Sequence, residues 1–213
     1  MIPTELLIEK GAVTKKVEAG EVLYAEHAPS TFYYQVISGR IRICNFLDDG
    51  KEVLHKVIDQ TEGFGEVAII DGGPHVVSAV ADCPSILLKI SAHSFLEILK
   101  EYNSINLLIT QQIARDLRFK MFLTRLIWSH NPEEILVGLI KRLNDDRKLI
   151  CPECNRLMLT RQQLANMTGL RVETIIRTMK LLEKQDKLTI VKGKVFVPSD
   201  GIGEIQYDTL KCS

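Results

Sequence analysis

The sequence predicts an α+β protein: an N-terminal β-roll or jelly roll, a long dimerisation helix, and a C-terminal winged helix-turn-helix. Three observations carry this. Between Lys16 and Ser91, glycines separate short apolar runs. Between Asn103 and Ser129 nothing breaks a helix, and Ile105, Ile109, Ile113, Leu117 and Met121 recur every four residues. From Thr160 to Val197 the chain reads helix, glycine turn, helix, hairpin.

In the first region the expected strands are Phe32 to Ser38, Arg40 to Leu47, Val53 to Ile58, Val76 to Val80 and Ile86 to Ile90. Gly20, Gly39, Gly50, Gly63, Gly65 and the Gly72-Gly73 pair punctuate them. Asp48-Asp49-Gly50 reads as a hairpin turn. Alternation in Arg40-Ile41-Arg42-Ile43-Cys44 suggests one packed and one wet face. Many short antiparallel strands at this spacing imply a sandwich or jelly roll.

Ser94 to Lys100 reads as a short helix, followed by the long one. A helix this apolar must bury surface on two sides, against the β-region and against the same helix of a second chain. Asn131-Pro132-Glu133-Glu134 starts another helix: Asn caps, Pro suits the first helical position, and acids suit the first turn. The residue before proline avoids the α region, so the hinge is placed here. The resulting division is 1–102 sensor, 103–130 dimerisation helix and 131–213 DNA-binding module.

In the third region Thr160 with Gln163 makes a capping box, and Thr168-Gly169 ends the first helix after two turns. The second helix buries Leu170, Ile175, Met179 and Leu182. Its other face carries Arg171, Glu173, Arg177 and Lys180, residue types that reach base edges and phosphates from a major groove. The full candidate DNA-contacting set is Thr160, Arg161, Arg171, Glu173, Thr174, Ile176, Arg177, Lys180, and the wing residues Lys192 and Lys194. The chain is formally neutral, with 27 basic and 27 acidic residues. Between Arg156 and Val197, nine Lys/Arg stand against three Asp/Glu, so this segment carries +6 and the remainder −6. A basic module on a neutral chain is the electrostatic footprint of a DNA-binding domain beside a regulatory one.

No apolar run reaches membrane-spanning length. The N-terminus lacks the basic, apolar and small-residue regions of a signal peptide. Five cysteines, an odd number spread widely except for one pair, argue for a reducing cytosol, hence a cytoplasmic protein. No nucleophile–base pair, phosphate-binding glycine loop or HExxH motif points to an enzyme. Cys151-Pro152-Glu153-Cys154-Asn155 resembles half of a zinc knuckle, with Cys212, His130 or a second chain as completing ligands; the alternative is a dithiol redox switch. The five histidines are scattered without a helical i, i+4 pair, so haem is not expected.

The order β-roll, long helix, hinge, winged helix-turn-helix resembles the Crp/Fnr family of bacterial transcription regulators, over nearly the whole chain. Gly20-Glu21-Val22-Leu23 with FYYQVISGRIRI from Phe32 is similar to the family's cyclic-nucleotide-binding roll. Phe64-Gly65-Glu66 is similar to its F-x-G-E ligand segment, and TRQQLANMTGLRVETIIRTMKLLE to its helix-turn-helix. The resemblance implies that Glu173 and Arg177 meet base edges, with double-stranded DNA and, for an activator, RNA polymerase as partners. It implies an effector pocket at Phe64, Gly65, Glu66, His75, Val76, Lys120 and Met121. Cyclic-AMP binders hold the phosphate with Arg-Ser where His75 and Val76 stand here, and meet the base with Thr-Ser where Lys120 and Met121 stand. Val cannot hydrogen-bond a phosphate and neutral His lacks the fork of Arg, so the expected effector is not cyclic AMP. No N-terminal cysteine cluster is present to hold the iron–sulfur centre of Fnr. The alternative function is a ligand-binding module whose helix-turn-helix docks protein.

Overall fold

The computed structural model describes residues 2–198 and residue 202. The chain divides into two compact units, residues 1–118 and 119–213, with the boundary inside the long helix.

The first unit holds α1 (Thr4–Glu9), β1 (Val13–Val17), β2 (Val22–Tyr24), β3 (Phe32–Ser38), β4 (Ile41–Phe46), β5 (Glu52–Ile58), β6 (Gly63–Phe64), α2 (Glu66–Asp71), β7 (Ser78–Ala81), β8 (Ser85–Ser91) and α3 (Ala92–Glu101). It ends in the first part of α4 (Asn103–Ile127). Two four-stranded antiparallel sheets, β1-β8-β3-β6 and β2-β7-β4-β5, form the roll. One core, with Val36, Ile41, Ile58, Phe64 and Leu87, is contributed by both sheets. A second core packs Leu7, Phe95, Ile98, Ile105 and Ile109 of the helices against Tyr33, Leu88 and Ile90. The strict alternation expected in β4 is broken by a register shift between Ile43 and Cys44, which buries Cys44 together with Ile41. Expected strand Val76 to Val80 starts later, at Ser78.

The period-four strip of α4 does not stay on one face. A helix of 3.6 residues per turn carries such a strip about 40° further at each step. Ile105 and Ile109 are accordingly buried, Ile113 is partly buried, and Leu117 and Met121 are 55% and 62% exposed.

The second unit contains α5 (Pro132–Asp145), α6 (Arg161–Thr168), α7 (Val172–Lys184), β9 (Thr189–Val191) and β10 (Lys194–Phe196). Asn131 Oδ1 accepts from Glu133 N at 3.0 Å, and Pro132 opens α5. Helix α7 packs on α5 and α6. Ile175, Met179 and Leu182 are buried with Leu136, Leu139, Ile140 and Leu164. The hairpin turns at Lys192 and Gly193, both with positive φ, the two-residue geometry that matches strand twist.

Candidate nucleic-acid interface and effector pocket

The helix-turn-helix is fixed by its own local chemistry. Thr160 Oγ1 accepts from Gln163 N at 3.0 Å, and Gln163 Oε1 accepts from Thr160 N at 3.0 Å, closing the expected capping box. Gly169, at φ 75°, ends α6, and its N–H donates to Ala165 O at 2.8 Å. Arg171 stands at the N-cap of α7 without a side-chain cap bond. Arg171, Glu173, Ile176, Arg177 and Lys180 are exposed; Thr174 is half-buried. Thr160, Lys192 and Lys194 are exposed and Arg161 is half-buried. Among the described residues no ion pair or hydrogen bond engages the side chains of Arg171, Glu173, Arg177, Lys180, Lys192 or Lys194. The intrahelical Glu173–Arg177 pair that the i, i+4 spacing allows is therefore not formed, and the cationic face is available to a polyanion.

In the roll, Gly65 (φ 93°) precedes α2, and a Cβ there would lie 2.9 Å from Phe32 O. This glycine aims Glu66 inward. Glu66 is only 8% exposed, its Oε2 has no hydrogen-bond partner among the described residues, and burial raises its carboxyl above the ordinary carboxylate value. Phe64 is buried and stacks on Tyr34 with ring centroids 5.1 Å apart. His75 is buried and stacks on Tyr24 with ring centroids 3.6 Å apart and planes nearly parallel, and burial lowers its pKa. A neutral, stacked imidazole offers no charge to a phosphate.

Val76 departs from the expected pocket. It is 66% exposed on the surface, where its carbonyl accepts from Asn45 Nδ2 at 2.9 Å. The Gly72-Gly73-Pro74 turn and the late start of β7 leave it outside the roll's interior. Lys120 and Met121 belong to the second unit, and Met121 is exposed.

Beside Glu66 lies a cavity of about 190 Å³, lined also by Lys56, Gly63, Ile109, Gln112 and Arg115. Lys56 Nζ donates to Asp116 Oδ2 at 2.7 Å, and Gln112 Nε2 donates to Asp116 Oδ1 at 3.0 Å. Sequence reasoning missed Lys56, Gln112 and Arg115. The one local clue was a lysine inside the apolar strand VLHKVI.

Cys151 and Cys154 lie in a tight turn. Asn155, at φ 55°, donates its N–H to Cys151 O at 2.9 Å, and Cys151 N donates to Arg156 O at 2.9 Å. The backbone N–H groups of Cys154 and Glu153, with the Cys154 thiol, lower the Cys151 pKa, whereas burial pushes the Cys44 thiol up to about 11. Among the described residues no group of three or more His, Cys, Asp or Glu side chains is placed to hold a metal. Cys212, one of the expected completing ligands, lies outside the described residues.

Comparison with known proteins agrees with this architecture. Residues 14–102 match the cyclic nucleotide-binding domain, and residues 134–199 match the Crp-like helix-turn-helix domain. The cAMP-activated global transcriptional regulator CRP of Haemophilus influenzae is 26% identical over 180 residues, 83% of this chain and 79% of that protein. FixK2 of Bradyrhizobium japonicum superposes with a TM-score of 0.75 at 21% identity, over 87% of this chain and 92% of that one. The c-di-GMP responsive regulator CLP of Xanthomonas campestris does so with 0.70 at 19% identity, over 91% and 98%. No described helix is long and apolar enough to cross a membrane.

Proposed function

Since this chain belongs to the Crp/Fnr family of transcription regulators, we propose that it acts in the cytoplasm as a homodimeric, sequence-specific DNA-binding regulator whose roll answers a small polar effector other than cyclic AMP. The observation that carries the DNA reading is the cationic face of α7 and its wing, unpaired among the described residues. Arg177 is assigned to a guanine edge and Glu173 to a cytosine amine, with Thr174 and Ile176 between them on the same exposed helix. Arg161, Arg171, Lys180, Lys192 and Lys194 are assigned to phosphates, and Thr160 to the backbone-facing start of α6.

Dimerisation is supported by α4. Leu107, Thr110, Ala114, Leu117, Met121, Thr124 and Trp128 are all exposed, and they follow the alternating three- and four-residue spacing of a coiled-coil seam. A second copy is the occupant that a self-complementary seam suits, and a two-fold dimer sets two copies of α7 at half-sites about one helical turn apart. In this assignment residues 1–102 sense, 103–130 dimerise and transmit, and 131–213 bind DNA. An activator of this kind also meets RNA polymerase.

The effector reading rests on the roll. Cavities for ligands of drug size span roughly 300–1,000 Å³, and the cavity beside Glu66 is smaller, at about 190 Å³. The positions where a cyclic phosphate would be held present a neutral stacked His75 and a surface Val76. A molecule that hydrogen-bonds Glu66 and contacts Arg115 fits this lining.

The test is duplex affinity against salt. Phosphate contacts give a steep negative slope. Arg177→Ala is expected to cost roughly 1–3 kcal/mol and to relax preference at one base pair. A flat salt response with no duplex affinity would instead favour a helix-turn-helix that docks protein. Calorimetric titration with cyclic AMP should show no binding; micromolar binding would overturn the effector assignment.

A further inference from the structure

We propose that Cys151 and Cys154 form a reversible dithiol–disulfide couple, oxidised by a peroxide and attached to the wing of the second unit. Two residues separate the cysteines in a turn closed by the Asn155 N–H on the Cys151 carbonyl. The backbone N–H groups of Cys154 and Glu153, with the Cys154 thiol, favour the Cys151 thiolate, and the two-residue spacing in this turn lets the second sulfur close on the first. Cys154 is exposed and Cys151 half-exposed, so a small oxidant reaches both. The turn supplies two sulfur donors and, among the described residues, no third ligand joins them. A dithiol couple needs nothing beyond these two.

The chemistry closes on its own atoms. The Cys151 thiolate attacks one peroxide oxygen, the O–O bond breaks, and sulfenic acid and hydroxide form. The Cys154 thiol then attacks that sulfur. The S–S bond forms, the S–O bond breaks, and the departing hydroxide takes the thiol proton as water. Two electrons pass from sulfur to peroxide; two thiols and one hydrogen peroxide become one disulfide and two waters.

The turn is joined to the wing. Leu157 N donates to Val195 O at 2.9 Å, Val197 N donates to Asn155 O at 3.0 Å, and Arg156 bridges Phe196. Strand β10 therefore lies between β9 and the arm that leaves the cysteine turn. Closing the disulfide moves the residue that anchors Val197, and Lys194 stands on that strand.

The experiment uses the full chain, purified under reductant and treated with hydrogen peroxide. The readout is mass spectrometry of the peptide containing both cysteines after thiol alkylation. The expected result is loss of two hydrogens from that peptide and two fewer alkylated thiols, restored by dithiothreitol. Cys154→Ser should stop at a sulfenic acid on Cys151 that dimedone traps, and Cys151→Ser should not react. Melting curves of both variants verify that the unit stays folded. Both thiols alkylated after peroxide, oxidation confined to other cysteines, or stoichiometric zinc that shields the pair would each overturn the couple. The link to the wing rests on the DNA reading and has its own arm. Duplex affinity should differ on the order of fivefold between the two redox states, and equal affinity would overturn that link. Absence of duplex affinity in both states would count against the DNA reading, and the peptide mass alone would then decide the couple.

Discussion

Leu117→Ala should weaken the proposed dimer and leave each protomer folded. Leu117 is 55% exposed, so its side chain contributes little to the core of its own chain. Full burial of a leucine side chain is worth about 1.5–3 kcal/mol relative to exposure. Covering the exposed half therefore gives ~1–1.5 kcal/mol per protomer, of which alanine retains a small part. A two-fold seam counts the change twice, so the dimer loses ~2 kcal/mol, or roughly thirtyfold in its dissociation constant. Sedimentation equilibrium over a wide concentration range measures that constant, and circular dichroism checks helix content. An unchanged constant would refute the seam. A drop of the same ~2 kcal/mol in the stability of the dilute protein would refute it equally, because Leu117 would then belong to a protomer core. Leu117→Glu should abolish the dimer, since two like charges would meet across the seam.

Further expectations concern the roll and its neighbour. Glu66→Gln should change how stability depends on pH. The folded carboxyl titrates above its ordinary value of 4.5, so the native state holds this proton more tightly than the unfolded chain. Below that value both states are protonated and no penalty arises. As pH rises from there through the folded pKa, native Glu66 costs stability that Gln does not, and the difference then levels off. Urea melts of both proteins across this range should diverge upward from about pH 4.5; parallel curves would mean that Glu66 is paired. Gly65→Ala should cost ~1–3 kcal/mol by forcing a β-carbon into left-handed backbone. The same change presses on Phe32 O, and it should appear as a lower thermal midpoint. In the other unit, Arg177→Ala should lose duplex specificity with no change in melting, because among the described residues its side chain has no partner.

The helix-turn-helix was legible almost residue by residue because its signals are local: a capping box, a left-handed glycine, and an apolar face at helical spacing. The long helix was equally plain, and its extent from Asn103 matches to within two residues at its end. Helix α2 was missed. Its sequence, EVAIID, reads as an apolar run, and six residues are too few to establish a period. Left-handed glycines at both ends, Gly65 and Gly72, decide it. The cavity could not be read at all. It joins Lys56 and Glu66 to Gln112 and Arg115, some fifty residues on, and no local pattern reports such a meeting. The Tyr24–His75 stack is invisible for the same reason. Val76 was expected to open a strand running to Val80, and an apolar run does not register that the strand begins two residues later, at Ser78.

The drifting strip along α4 sorts mutations into two classes of phenotype. Ile105 and Ile109 serve the protomer's interior, and Leu107, Leu117 and Met121 face outward on the same helix. Lesions of the first kind behave as temperature-sensitive alleles, since lower temperature favours the folded protomer. In the proposed dimer, lesions of the second kind should behave as dosage-sensitive alleles, since more chains restore the assembly by mass action. Neighbours in sequence such as Leu107 and Ile109 thus fall into different genetic classes, and a mixed oligomer poisons wild-type chains only when the outward face is intact.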